Sequence, residues 1–265
     1  MADSAAVART RDVIDTTPAF VQADADRLNA RFAGVDAGTM LAELFAEGSL
    51  GRVGVVSSFG TESAVLLHLV ATADPTVPVI FVDTLKMFPE TLDYRETLTD
   101  RFGLVNSSVV APDAAVLAAK DENGLRWSWD PDGCCEIRKV EPLARAKSGL
   151  DAWISGRKAF QSVTRENLPR FEIEEGRLKI NPLGNWAKDD LEAYFDLHDL
   201  PRHPLEAQGY LSVGCAPCTS VVKPGEDPRA GRWRGWDKTE CGIHTPTAPD
   251  NGGEGELPPG YEPVF

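Results

Sequence analysis

Long apolar runs are missing from this 265-residue sequence. No stretch approaches the roughly 20 consecutive apolar residues that a membrane-spanning helix needs, so an integral helical membrane protein is not expected. The opening residues, MADSAAVARTRDVIDTT, carry no apolar core of a secretory signal, and a cytoplasmic enzyme is the expectation. Positive charge is in short supply: 27 Lys and Arg stand against 41 Asp and Glu, a net charge of −14. A general nucleic-acid binder needs a basic face to neutralise phosphates, and the balance of charge argues against that class. Any small anionic ligand must then be met by a local basic cluster. The common phosphate-loop signatures are absent too: neither G-x-x-x-x-G-K-[ST] nor G-x-G-x-x-G occurs. Cysteine is scarce and odd in number, five in all, which speaks against a disulfide framework.

What is present reads as an α/β protein. Residues 1–50 hold apolar positions at helical spacing, in FVQADADRLNARFAG and DAGTMLAELFAEG. RVGVVSSFGTESAVLLHLVATA passes from a β-rich run through Ser and Gly into an apolar helix. VPVIFVDT (77–84) has the continuous apolar character of a buried parallel strand. Next come a helix over 88–103, a strand over 104–112, a further helix and a short strand over 151–156. This alternation predicts a mainly parallel, twisted sheet flanked by helices. After residue 165 the pattern predicts a hairpin turning at Glu175–Gly176 and a helix in AKDDLEAYFDLHDL with acidic residues in its first turn. From about Lys223 the chain is rich in Gly, Pro and charge, and a mobile tail is expected. The expected organisation is a helical segment over 1–50, an α/β nucleotide-binding unit over 51–222 and a tail over 223–265.

Three features carry chemistry. SSFGTES (57–63) lies between a strand and a helix, where small residues let backbone N–H groups approach an anion; a plain strand-to-helix turn fits the spacing equally well. Cys134-Cys135 and Cys215-x-x-Cys218 form two close pairs. Four thiolates hold Zn²⁺ or a [4Fe–4S] cluster tetrahedrally, and chemistry alone leans slightly to structural zinc. Cys241 stands apart in KTECGIH as a lone thiol, whose reactivity rises near cations. Basic residues gather near these motifs: Arg138 and Lys139; Arg157, Lys158 and Arg165; Arg229, Arg232 and Arg234.

The ordered set of segments SSFGTES, DTLKMFPETLDY (83–94), CCEIRKVEPL, SGRKAFQSVTR (155–165), GCAPCT (214–219), PRAGRW (228–233) and ECGIH (240–244) resembles one branch of the adenine-nucleotide PP-loop superfamily. That branch is the assimilatory sulfonucleotide reductases, which act on adenylyl sulfate (APS) or its 3′-phosphorylated form (PAPS). The resemblance spans about residues 50–245. It implies a Rossmann-like sheet and a [4Fe–4S] cluster on Cys134, Cys135, Cys215 and Cys218, a quartet that goes with APS. It implies Cys241 as the catalytic nucleophile, thioredoxin or glutaredoxin as reductant, and a chain able to form a homo-oligomer. It assigns Ser58, Gly60 and Ser63 to the nucleotide loop and Asp83 and Leu85 to the ribose or adenine. Lys139, Arg157, Arg165, Arg229 and Arg232 fall to the substrate's anionic groups, with Lys139 between cluster and substrate. The sequence departs from the branch at Leu85, Lys158 and Phe160. The competing readings are a PAPS-using reductase, a PP-loop ATP pyrophosphatase, whose loop more often reads S-G-G-x-D-S, and a zinc-binding interaction protein.

Overall fold

Val- and Ile-rich runs become the centre of the sheet. The computed structural model describes residues 19–161, 168–238 and 240–243. In it β1 (Val53–Val56), β2 (Val79–Val82), β3 (Ser107–Val110), β4 (Ala152–Ser155), β5 (Phe171–Glu174) and β6 (Arg177–Ile180) form one sheet. Its order is β3-β2-β1-β4-β6-β5. All neighbours are parallel except β5, which runs antiparallel to β6 at the edge. The parallel α/β sheet that the alternating pattern predicts is therefore present, and the strands are shorter than the apolar runs that announce them. The hairpin turns where expected: Glu175 and Gly176 have φ of 52° and 73°, and two successive left-handed residues match the twist of the strands they join.

A parallel sheet needs cover on both faces. On one side α1 (Gln22–Arg31), α2 (Ala37–Glu47) and α3 (Ser63–Ala73) bury Phe32, Met40, Leu44 and Leu67 in one cluster with Val55, Phe81 and Ile154. The first helices thus belong to the same core as the sheet. Helix α3 is apolar nearly all round, and six of its residues are buried, as a helix enclosed by neighbours requires. Side chains alternate along a strand, so Trp153 faces away from Ile154, toward the second layer. There Lys147 of α7 (Glu141–Lys147) meets the Trp153 ring at 4.2 Å. Helices α4 (Pro89–Phe102) and α8 (Lys188–Leu197) run along the α3 side, and α5 (Ala114–Lys120) follows β3. No helix among the described residues is long and apolar enough to cross a membrane.

Two features of the fold position chemical groups. The chain leaves β1 for β2 on one side and reaches β4 on the other, so the carboxyl ends of β1 and β4 frame the crevice where open α/β sheets bind ligands. Helix α6 (Pro131–Cys135) runs into α7 through a widened turn over Glu136–Val140. Pro142 has no N–H and its ring crowds the carbonyl four residues back, which accounts for a π-type turn at this point.

The loop after α8 is locked by His203, 1% exposed. Its Nδ1 accepts the Leu205 N–H at 3.2 Å and its Nε2 faces Thr91 Oγ1 at 3.0 Å. Burial lowers its pKa to about 4. The folded value lies below the ordinary 6.5, so the unfolded chain binds the proton first. The stabilisation is complete above pH 6.5 and is lost as the pH falls toward 4. Unfolding free energies from urea titrations should fall more between pH 7 and pH 4 for the wild type than for His203→Gln, by about 3 kcal/mol over the interval.

Candidate active site

The turn after β1 is built from the inside. Ser57 is buried and its Oγ accepts the Phe59 N–H at 3.2 Å. Phe59 has φ of 49°, uncommon for a bulky residue, and is held there by a fully buried ring that meets Phe81 edge-on at 5.4 Å. With Phe59 committed to the core, Ser58 and Gly60 line a cavity of about 220 Å³, along with Ser63 at the start of α3. Glu62 precedes α3 and pairs with Lys158 Nζ at 2.7 Å and Gln161 Nε2 at 2.6 Å.

The cavity lies at the carboxyl ends of β1 and β4, as the topology dictates. It brings Ser58, Gly60 and Ser63 together with Lys139, Arg157, Arg229, Arg232 and Cys241. Asp83 and Leu85, expected against the nucleotide, do not line it. Asp83 spends its carboxylate on the Leu85 N–H at 2.8 Å, and the chain reverses at Leu85, with φ of 58°. Leu85 is thereby turned out, 54% exposed, while Thr84 is 1% exposed and faces the cavity. Arg165 lies outside the described residues. The structure adds Thr84, Glu62, Ser155 and Lys158 to the lining. Lys158, where the sequence departs from the family pattern, is buried, and Phe160 is exposed and outside the lining. Nothing in the local sequence distinguishes Lys158 from a surface lysine, because its partner lies 96 positions away.

Next to this cavity is a second, smaller one walled by Cys134, Cys135, Cys215, Cys218, Trp127 and Trp233. Cys215 is seated by an antiparallel bridge to Met87 and by Thr84 Oγ1 at 3.2 Å from its Sγ. The Ala216 N–H donates to the Lys86 carbonyl at 2.8 Å. Arg138 does not face the nucleotide turn: it is buried against Asp121 at 2.6 Å and donates to the Thr84 carbonyl at 2.9 Å. It fastens the cysteine-bearing helix to the end of β2. Lys139 borders both cavities. Burial pushes the Cys134, Cys135 and Cys218 thiols up to about 11. Burial would do the same to Cys215, but Lys139, the Thr84 hydrogen bond and Arg232 together bring it below the ordinary thiol range. Burial opposes the charge on Lys139; the neighbouring Cys215, Cys241 and Cys135 outweigh it and raise its pKa. Among the described residues no three His, Cys, Asp or Glu side chains close on one point to hold a single metal ion. Four thiols wall this cavity, and thiols are ligands for metals.

The segment after Lys223, expected to be part of the tail, is folded against this site as far as it is described. Close backbone approach makes this possible. A Cβ on Gly231 would stand 2.1 Å from the Ser220 carbonyl oxygen, and one on Gly214 would stand 2.2 Å from Arg232 Nη2. Thr219 bridges Arg232, and the Trp233 N–H donates to the Cys218 carbonyl at 2.9 Å. The Arg232 guanidinium lies over Trp233 at 4.5 Å. Its Nε is buried with no hydrogen-bond partner among the described residues, and the same holds for Arg157 Nε. Lys238 pairs with Asp132 beside the cysteine helix, and Arg229 reaches Glu240 at 3.4 Å. Cys241, half-buried, is carried into the first cavity, which Lys139 and Arg232 also line. The arrangement places a thiol among cations in the cavity that the turn after β1 also lines.

The phosphoadenosine phosphosulfate reductase domain family matches residues 52–221, more than half of the chain. An adenosine 5′-phosphosulfate reductase of Mesorhizobium japonicum is 53% identical over 193 residues, covering 73% of this chain and 76% of that protein. One from Chelativorans sp. is 47% identical over 235 residues, covering 86% of this chain and 94% of that protein. Among solved structures, a phosphoadenylyl-sulfate (PAPS) reductase from Candida auris in a phosphate complex superimposes with a TM-score of 0.65 at 28% identity. It covers 77% of this chain and 98% of that one.

The Arg138–Asp121 pair gives a direct test of how the cysteine helix is held. The two side chains are 5% and 0% exposed, and removing one partner leaves a buried charge uncompensated. Asp121→Ala should cost about 3–5 kcal/mol in chemical denaturation. Asp113→Ala, which removes only the exposed cap of α5, should cost about 1 kcal/mol.

Proposed function

The chain belongs to the phosphoadenosine phosphosulfate reductase family, and from that premise we propose that it reduces adenylyl sulfate to sulfite and AMP through an S-sulfonated Cys241. The observation that carries this reading is that Cys241 and the Ser58–Ser63 turn line one cavity with Lys139, Arg157, Arg229 and Arg232. A nucleotide carrying adjacent phosphate and sulfate groups needs that combination: a turn of small residues for the nucleotide, guanidinium forks for the oxyanions and a thiol within reach of sulfur. The relatives named as adenosine 5′-phosphosulfate reductases favour APS over its 3′-phosphorylated form.

The Cys241 thiolate attacks the sulfur of APS. A sulfur–sulfur bond forms, the bond from sulfur to the phosphate oxygen breaks, and AMP leaves with the electron pair. Lys139, Arg229 and Arg232 offset the charge that gathers on the departing phosphate. A thiolate of a dithiol protein such as thioredoxin then attacks Cys241 Sγ, and sulfite departs with the electron pair. The second thiol of the reductant resolves the mixed disulfide and returns Cys241 to its reduced form. Two electrons come from the dithiol and two are accepted by the sulfuryl group. Cys134, Cys135, Cys215 and Cys218 would hold a [4Fe–4S] cluster, a reading supported by four thiols, three of them buried, walling one cavity. When bound, the cluster supplies a cross-link between the cysteine helix and the 215–218 turn and a fixed negative charge beside Lys139, without any change of oxidation state. Free-thiol chemistry of this kind requires a reducing compartment, and a cytoplasmic location belongs to the proposal.

The test is sulfite release from APS and, separately, from PAPS, with thioredoxin as reductant and anaerobically prepared holoenzyme. Wild type should be active on APS, Cys241→Ser inactive with either nucleotide, and Lys139→Ala lower in kcat and higher in KM with its iron retained. Activity confined to PAPS would overturn the substrate; ATP consumption with pyrophosphate release and no sulfite would overturn the reaction.

A further inference from the structure

Arg157 follows β4 at the rim of the nucleotide cavity, and its direction is fixed from behind by the edge hairpin. Its Nη1 donates to Glu172 Oε1 at 2.7 Å. The same oxygen accepts Asn181 Nδ2 at 2.9 Å, and Asn181 Oδ1 accepts Ser155 Oγ at 2.6 Å. Ser155 and Arg157 both line the cavity; Glu172 and Asn181 do not. One carboxylate therefore ties together two side chains that do.

Glu172 is itself held by a row of cross-strand neighbours. It stands opposite Lys179 in the β5–β6 register, and Lys179 stands opposite Trp153 in the β6–β4 register. Lys179, 1% exposed, has its Nζ at 3.6 Å from Glu172 and 2.6 Å from Glu174. Glu174 also binds Lys147 Nζ at 2.7 Å, and both lysines lie over the Trp153 ring. The charges alternate along the row: Arg157, Glu172, Lys179, Glu174, Lys147. Such a row is stiffer than a surface ion pair, because each inner member is fixed on both sides in a partly dry environment. Sharing Glu172 with Lys179 has a second consequence. The carboxylate orients Arg157 without cancelling its whole charge, so the guanidinium still attracts an anion.

We propose that Glu172 is a positioning residue for the reaction, aiming the Arg157 guanidinium at the anionic part of the substrate from outside the cavity. The inference rests on the reading of Arg157 as a substrate ligand. An arginine with one edge already bound gives up less rotamer freedom when the substrate arrives. Releasing that edge weakens binding and leaves the thiol chemistry at Cys241 intact.

The test is a kinetic cycle on the holoenzyme with APS as substrate: wild type, Arg157→Ala, Glu172→Ala and the double variant. Thermal midpoints and iron content serve as controls. Glu172→Ala should raise KM about tenfold with kcat within about twofold, and should add nothing once Arg157 is gone. Glu172→Asp keeps a charge for Lys179 but falls short of Arg157; it should fall between and carries the test if Glu172→Ala does not fold. A higher KM in Arg157→Ala with no change in Glu172→Ala and Glu172→Asp overturns the positioning role and leaves the ligand reading standing. Independent, multiplicative effects in the double variant do the same. An unchanged KM in Arg157→Ala overturns the ligand reading and the inference with it.

Discussion

One ammonium group stands between two cavities. Lys139 borders the thiol-walled cavity on one side and the nucleotide cavity on the other, and the thiols around it raise its pKa. In the proposed reaction, four cluster-bound thiolates and an anionic nucleotide come close together, which is costly in a partly dry site because like charges are poorly screened there. A cation fixed between them offsets both. Much of the surrounding structure maintains that position. Pro142 forces the widened turn that carries Lys139, Arg138 and Asp121 pin the same turn to the end of β2, and Thr84 and Met87 seat Cys215 beside it.

The sheet supplies the remaining geometry. Crossing from β2 on one side of β1 to β4 on the other opens the crevice, and every segment that contributes chemistry ends there: the turn after β1, Thr84 after β2, Arg157 after β4, the 213–218 loop and the segment from Arg229 to Cys241. Two glycines decide whether the last of these can dock. Gly214 leaves room for the Arg232 guanidinium and Gly231 for the Ser220 carbonyl. Cys241, the proposed nucleophile, is thereby presented on a strap held by Trp233, Lys238 and Arg229, with the cations of the cavity around it.

The strands and the hairpin are legible in the sequence because Val and Ile runs and the Glu175–Gly176 pair act locally. The candidate site is legible as an ordered set of short motifs, and Ser58, Gly60, Ser63, Lys139, Arg157, Arg229, Arg232 and Cys241 do share one cavity. What escapes the sequence depends on tertiary partners that no local pattern announces. Lys158 looks like a surface lysine until Glu62 meets it, and Glu172 and Glu174 look like the wet face of an edge strand until Lys179 and Lys147 cover them. The family pattern assigns Asp83 and Leu85 to the nucleotide side, but Asp83 caps its own turn and the reversal at Leu85 sends Thr84 inward instead. The Gly- and Pro-rich composition after Lys223 suggests a loose tail, while composition alone cannot reveal that Gly231 permits a close backbone contact.

The proposed chemistry turns on Cys241 as the atom that takes sulfur from the substrate. Peptide mass spectrometry of anaerobic holoenzyme, incubated with APS in the absence of any reductant, tests this most directly. A sulfonate adduct on the peptide containing Cys241, released as sulfite when a dithiol is added, is the predicted result. Iron-replete protein that gains no adduct, or gains it on another cysteine, would contradict it.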